Sequence, residues 1–393
     1  MTAACCRCRR AARRIAVIGG HADKGILAGG GSSLVHPVGG NAVPGTGPEV
    51  WPGPVIYYPS SPLAEIRKLA PDAEVRFASG DDPREAADLA KDSDIVLVFA
   101  TQWAGESFDV ELALDGKQDA LITAVAAANP RTAVILETGG PVLMPWVDRV
   151  DAVLAAWYPG TEGGAAIANL LFGKVNPSGR LPATFPKSLT QLPHPGPPGT
   201  GDVVYGEGAA VGYHWYDAKG HTPLFAFGHG LSYTRFELSG LEAEPAGASI
   251  AVRFRVRNAG DRAGAAVPQV YVGCPGWEAP KRLGGWRKVG LEAGAEEAVS
   301  LTIDPRLLAT FDTAAHAWKI ALGDLSGHAR PFGERYRADG RCGASCRGAS
   351  GKLARCRVGN EPESMPPACK PESGRTNGRG QHVPDRIDLR FGQ

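Results

Sequence analysis

The segment Ser93-Asp-Ile-Val-Leu-Val-Phe-Ala100 is apolar at every position from Ile95 onward. A strand with no polar face must be covered on both sides, which points to a mostly parallel sheet sandwiched by helices. The flanking sequence supplies the remaining parts. Arg14-Ile-Ala-Val-Ile-Gly-Gly20 is a second short apolar run, ending at paired glycines where a buried strand can turn sharply. Val55–Tyr58, Thr132–Leu136 and Asp151–Ala155 are further candidate strands. Between them lie helical patterns. Leu63, Ile66 and Leu69 recur at helical spacing, and Asp82-Pro83 opens a helix through Lys91 with Asp82 as cap. Gly116–Ala128 stops at Asn129-Pro130, and Thr161–Phe172 stops at Gly173. Strand and helix alternate, so the expected fold class is α/β over residues 15–187.

The period changes downstream. Ile250, Val252, Phe254 and Val256 alternate with Ala251, Arg253, Arg255 and Arg257, the mark of an antiparallel strand with one buried face. Similar runs at Val267–Val272, Trp286–Leu291, Ala298–Ile303 and Trp318–Leu322 predict a small all-β sandwich over residues 241–324. Residues 188–240 join the two domains. They are rich in Pro and Gly yet carry Tyr205, Tyr213, Trp215, Tyr216, Phe225, Phe227 and Tyr233, too many aromatics for a solvent-flexible linker, so an ordered connecting arm is expected. Residues 1–14 read as an unstructured start. Residues 325–393, with Gly, Ser, Pro and Arg and no sustained period, read as a disordered tail that begins where a last sandwich strand would be due.

Composition excludes several function classes. Forty-two Lys+Arg against 41 Asp+Glu give +1, so no chain-wide field would gather nucleic acid or an anionic membrane. No run approaches the ~18 apolar residues a membrane span needs. Met1–Arg14 holds Cys5, Cys6, Cys8 and five arginines but no apolar segment, so it is not a legible secretory signal and the compartment stays unknown. Between Ile15 and Asp324 there is one cysteine, Cys274, which rules out a disulfide framework there. The tail cysteines Cys342, Cys346, Cys356 and Cys369 lack a zinc-site spacing, and His21 and His229 stand without a second ligand at a suitable spacing, so no metal is expected.

Nucleotide readings of the first glycine turn fail on spacing. Gly19-Gly-His-Ala-Asp-Lys-Gly25 contains no G-x-G-x-x-G, and Lys24 precedes the glycine that a P-loop lysine should follow. Gly29-Gly-Gly-Ser-Ser33 lacks Cβ atoms at three positions, which suits either a bound ligand or a tight crossing of two loops. Phe99-Ala-Thr-Gln-Trp-Ala-Gly-Glu-Ser-Phe-Asp109 follows the most apolar strand, and open parallel sheets bind ligands beyond the carboxyl ends of their strands. Trp103, Glu106 and Asp109 set an aromatic face beside acidic groups, a combination suited to a sugar. A solvated acidic loop with one core tryptophan is the other reading of the same residues. Asp115-Gly116 and Gln118-Asp119 read as turn and helix-start residues.

These segments, with Trp157-Tyr-Pro-Gly-Thr-Glu-Gly-Gly164, Asn176-Pro-Ser-Gly-Arg-Leu-Pro-Ala-Thr-Phe-Pro186, Gly212-Tyr-His-Trp-Tyr-Asp217 and Phe227-Gly-His-Gly-Leu-Ser-Tyr233, resemble the C-terminal part of glycoside hydrolase family 3. This is the β-glucosidase and β-xylosidase family. The resemblance spans about 15–324 and implies an α/β-sandwich domain, a connecting arm and a fibronectin-type-III-like domain. Family members usually begin with a (β/α)8 barrel carrying the aspartate nucleophile, and no barrel is legible here. The motif Gly-Glu-Ser-Phe-Asp then assigns the general acid/base to Glu106. The resemblance implies that Asp109 shapes that loop and that Trp103, Ser32 and Ser33 lie toward the leaving-group side. The implied substrate is a β-glucoside or oligosaccharide, with no cofactor and a barrel polypeptide as a possible partner. Without a partner carboxylate, Glu106 is expected to be exposed, to titrate as an ordinary glutamate and to leave the chain inactive alone. The alternative function is a non-catalytic carbohydrate-binding or assembly module. A start and a tail that both depart from the family pattern also fit a shifted reading frame.

Overall fold

A computed structural model describes residues 12–32, 34–38, 41–43, 50–108, 110–196, 201–274, 276–320 and 388–392. The first domain is built on a five-stranded parallel sheet. Its strands are β1 (Arg14–Ile18), β4 (Glu74–Ala78), β5 (Ile95–Thr101), β6 (Thr132–Glu137) and β7 (Ala152–Ala155), in the order β4-β1-β5-β6-β7. A small antiparallel ribbon of β2 (Gly25–Ala28) and β3 (Ile56–Tyr58) sits outside it. The helices are α1 (Pro62–Leu69), α2 (Pro83–Lys91), α3 (Gln118–Ala128) and α4 (Gly163–Leu171).

The two-residue period of the strands sorts their side chains onto opposite faces. Ala16, Ile18, Val96, Val98, Val134 and Leu136 pack with Ala86 and Ala90 of α2 and with Leu121, Ile122 and Val125 of α3. Ile15, Val17, Leu97, Phe99, Ala133 and Ile135 pack with Leu63 and Ile66 of α1 and with Ile167, Ala168 and Leu171 of α4. Every residue from Val96 to Ala100 is fully buried, and each large side chain among them contributes roughly 1.5–3 kcal/mol by leaving water. The helices start where local chemistry allows. Asp82 accepts the Arg84 N–H at 2.8 Å with Pro83 in the first turn, and Ser61 accepts the Ala64 N–H at 3.0 Å. Asn129 is buried and donates to the carbonyls of Ala90 and Ser93 at 2.9 and 2.8 Å, tying the end of α3 to the end of α2.

Within the arm, α5 (Tyr213–Lys219) fastens to its surroundings through its aromatics. Tyr213 stacks on Phe227 with centroids 4.9 Å apart, and its hydroxyl accepts the Leu283 N–H at 2.7 Å. The Trp215 indole donates to the Gln191 carbonyl at 3.0 Å, and Lys281 pairs with Asp217 at 2.8 Å.

The second domain has two three-stranded antiparallel sheets. One comprises β8 (Phe236–Ala246), β9 (Ser249–Asn258) and β14 (Glu296–Ile303), with β9 central; the other comprises β11 (Gln269–Gly273), β12 (Arg282–Trp286) and β17 (Asp388–Gly392), with β11 central. Short pairs β10 (Gly264–Ala266) with β13 (Val289–Leu291), and β15 (Ala309–Asp312) with β16 (Ala317–Ile320), complete it beside the one-turn helix α6 (Pro305–Leu308). Ile250, Val252, Phe254 and Val256 point into a core with Val270, Val272, Val299 and Ile303.

The structure differs from the sequence expectations in several places. Strand β8 starts at Phe236, inside the stretch read as arm. Its register shifts between Ser239 and Glu242 around Gly240, which has φ +62°, so Phe236 and Leu238 fall out of phase with Leu241 and Ala243. Strand β4 has no counterpart among the expected strands, because its five residues offer only Val75 and Phe77 as strong apolar positions on an edge. The expectation of a wholly disordered 325–393 is corrected at its end: Asp388–Gly392 pairs antiparallel with Gln269–Gly273. The remainder of that tail, residues 1–11 and the cysteines in both lie outside the described residues.

Candidate active site

Strand β1 sits between β4 and β5, so the chain leaves it in one direction and returns on its other side. Such a reversal opens a crevice beyond the carboxyl ends of the strands. Here the crevice has a volume of about 740 Å³ and is lined by the Gly19–Lys24 turn, Tyr57, Gln102, Trp103, Asp115, Gln118 and Tyr158. Gly20, with φ +55°, makes the first turn possible, since a Cβ there would lie 2.4 Å from the Phe99 carbonyl carbon.

The polar groups of the largely apolar crevice walls are partly dehydrated. His21 meets Tyr57 edge-on at 5.1 Å; burial lowers the pKa of the imidazole and raises that of the phenol. Tyr158 donates to the Gln102 carbonyl at 2.6 Å, and burial pushes its pKa up to about 12. Asp115 is raised by burial, opposed by the Trp103 N–H that it accepts at 2.6 Å. Gln118 grips Thr101 from both sides, accepting its N–H at 2.9 Å and donating to its carbonyl at 2.8 Å. Asp115 and Gln118 thus do more than open a helix: they fix the loop that follows β5. In the sequence they show only as a polar turn, because the loop they hold is brought to them by folding.

That loop carries Glu106. Gly30 and Gly105 form an isolated parallel bridge, and the Gly30 N–H donates to Ala104 at 3.0 Å. A Cβ on Gly31 would fall 2.3 Å from the Cβ of Glu106, so the close approach depends on glycine, which here also holds φ +89°. The Ser32 N–H then donates to Oε2 of Glu106 at 2.7 Å. Glu106 is exposed, and Ser107 after it takes a left-handed φ of +66°. Of the two readings of the glycine run, the tight crossing of two loops is the one seen, and the crossing aims a donor at a carboxylate.

Of the expected site residues, Glu106 and Ser32 are brought together. Trp103 is half-buried, packs edge-on against Phe108 at 5.5 Å and lines the crevice, whose lining does not include Glu106. Ser33 and Asp109 lie outside the described residues. One expectation is corrected. Glu106 does not titrate as an ordinary glutamate: hydrogen bonds from the Ser32 side chain and then its backbone N–H hold it below the usual value.

Sequence reasoning missed Glu137. It closes β6 opposite Thr101 of β5, is 1% exposed, and neither carboxylate oxygen meets a protein donor. The adjacent Gln102 Oε1 is likewise buried and unpartnered. Burial pushes Glu137 up to about 8, so it is largely protonated at neutral pH.

Comparison with known proteins agrees with this architecture. The profile described as Glycosyl hydrolase family 3 C-terminal domain matches residues 9–233, and that of the Fibronectin type III-like domain matches 266–327. A beta-glucosidase of Rhizobium radiobacter is 45% identical over 257 residues, 61% of this chain and 31% of the relative. Thermostable beta-glucosidase B of Acetivibrio thermocellus is 41% identical over 254 residues, 61% of this chain and 34% of its own length. The chain thus spans about a third of these curated relatives. Among solved structures, a beta-glucosidase from Streptomyces venezuelae in complex with D-glucose superposes with TM-score 0.71 at 29% identity, covering 80% of this chain and 54% of the other. A Bifidobacterium adolescentis beta-glucosidase gives TM-score 0.68 at 32% identity, with 80% and 46% covered. With more than half of its residues matched by that profile, on a parallel sheet followed by a β-sandwich, this chain belongs to glycosyl hydrolase family 3.

Proposed function

We propose that the chain is the C-terminal portion of a retaining β-glucosidase-type hydrolase acting on terminal non-reducing β-D-glucosyl residues, with Glu106 as general acid/base. The observation that carries this reading is an exposed carboxylate on the loop beyond the central strand, held by Ser32 and open to a second wall. Retaining hydrolysis needs two carboxyl groups ~5–5.5 Å apart. In this reading an aspartate on a barrel polypeptide attacks the anomeric carbon while Glu106 hands its proton to the departing oxygen. Glu106 then takes a proton from the water that releases the sugar. Alone, the chain holds Glu106 ionised at neutral pH, and in this reading the attacking carboxylate belongs to the barrel, so the chain is expected to be inactive on aryl β-glucosides. Adding a family (β/α)8 barrel polypeptide should restore hydrolysis, and Glu106→Gln should abolish it again. Hydrolysis that survives Glu106→Gln would remove the assignment.

A second reading, a non-catalytic carbohydrate-binding or assembly module, is favoured by the crevice itself. Tyr57, Trp103 and Tyr158 line it together with Asp23 and Asp115. Calorimetry with gluco-oligosaccharides separates the two readings: binding that Trp103→Ala weakens and Glu106→Gln leaves unchanged supports the second.

A further inference from the structure

We propose that Ser32 is a positioning residue for Glu106, a clamp that fixes the carboxylate's direction by its backbone N–H and adds its hydroxyl as a second donor. The inference rests on the acid/base reading of Glu106 and deepens it. Three observations carry it. The Ser32 N–H reaches Oε2 of Glu106 at 2.7 Å, the short length of a charge-assisted bond. The loop that brings it there is locked to the Glu106 loop by the Gly30–Gly105 bridge and by the Gly31 contact, where a Cβ would collide with Glu106. The Gly31 N–H is in turn spent on the Pro52 carbonyl, at 2.5 Å, so the donor offered to Glu106 is that of Ser32.

The two donors of Ser32 differ in what they allow. A backbone N–H only donates, so it suits the carboxylate and opposes protonation at Oε2. A hydroxyl also donates to the carboxylate but can rotate away once the acid forms, so it favours the ionised state without holding the proton. With Oε2 engaged, the proton given to the leaving oxygen rides on Oε1, and the same oxygen receives the proton of the incoming water. The clamp thereby assigns the proton-carrying oxygen and keeps the side chain from swinging between the two steps, which retaining chemistry asks of one carboxyl group. Among the described residues no charged side chain contributes to the Glu106 titration, which leaves Ser32 as the controlling neighbour.

The test is a carbon-13 NMR titration of the glutamate and aspartate carboxyl groups in the full chain, with the Glu106 signal assigned by its loss in Glu106→Gln and the Asp94 signal by its loss in Asp94→Asn. Glu106 should titrate below an ordinary glutamate, rise toward the ordinary value in Ser32→Ala, rise further in Ser32→Pro and return in Ser32→Thr. Asp94, held low by the N–H groups of Arg14 and Arg13, serves as the reference that none of these variants should move. Should Ser32→Pro fail to fold, as read by circular dichroism, the Ala and Thr variants decide alone. A Glu106 signal that ignores Ser32→Ala overturns the clamp. With barrel polypeptide added, Ser32→Ala should also shift the basic limb of the kcat/KM profile upward, because Glu106 must carry its proton to act as the acid. If Glu106→Gln abolishes that activity but Ser32→Ala moves neither titration nor limb, the clamp alone is wrong. If the titration answers to Ser32 but activity survives Glu106→Gln, the acid/base reading is wrong and Ser32 only braces a loop.

Discussion

Glu137 shows how far one carboxyl group can depart from solution behaviour when a strand carries it into the interior. Both oxygens lie buried without a protein donor, so ionisation there would strand a charge in an apolar site, and the group keeps its proton to about pH 8. The unfolded chain releases the same proton near 4.5, so the native state binds more protons across that interval. Stability from this group is therefore complete below pH 4.5 and is lost as the pH climbs through 8. Each pH step of one between those two values is worth ~1.36 kcal/mol, which makes the loss on the order of 4–5 kcal/mol. Denaturant titrations of the wild type should show stability falling between pH 5 and 8.5, and Glu137→Gln should flatten that fall; a wild-type curve level across the window would refute the assignment. Nothing in the sequence marks Glu137, because Leu-Glu-Thr reads as an ordinary strand end and only the neighbouring strands reveal that it is covered. The same holds for Ser32 and Glu106, whose contact spans 74 residues. Their motifs stand out separately in the sequence, but the bond between them belongs to the folded chain.

At the scale of elements, legibility follows how completely each segment obeys its period. Strand β5 is buried on both faces and is readable from its composition, as is α2 from Asp82 and Pro83. Strand β8 is hidden by a bulge, and β17 by a pairing partner that lies over a hundred residues upstream. β17 makes a testable difference. It covers one edge of β11, every residue of which is buried, and its removal would leave the N–H and C=O groups along that edge of Gln269–Gly273 unpaired. A chain ending at Val383 should therefore unfold its sandwich earlier in a thermal scan, by roughly 4–8 °C for each kcal/mol lost from a domain of this size. An unchanged transition would show that the pairing adds nothing to stability. On the first domain, Gly31→Ala should force the two crossing loops apart, because the added methyl meets the backbone and Cβ of Glu106 rather than a side-chain end that could swing away. The expected result is a Glu106 titration shifted toward the ordinary value with the sheet intact by circular dichroism.

For the whole molecule, the electrostatic state of Glu106 depends on what stands opposite it. Exposed and bonded to Ser32, it is held below the ordinary glutamate value, whereas a group that must donate a proton near neutral pH needs its pKa raised. The proposed second wall would supply that change. Closing a barrel over the loop removes water from one side of the carboxylate, and a neighbouring aspartate adds like-charge repulsion; both raise the pKa, against the donors of Ser32. The Glu106 signal should therefore move upward on titration with a barrel polypeptide, and the bell of kcat/KM should place its basic limb at that raised value. In the nucleophile-lacking variant of the barrel, Asp→Asn, the upward shift should shrink but not vanish, because the loss of water remains. A complex that forms, hydrolyses β-glucosides and leaves Glu106 titrating as it does in the isolated chain would show that another group carries the proton.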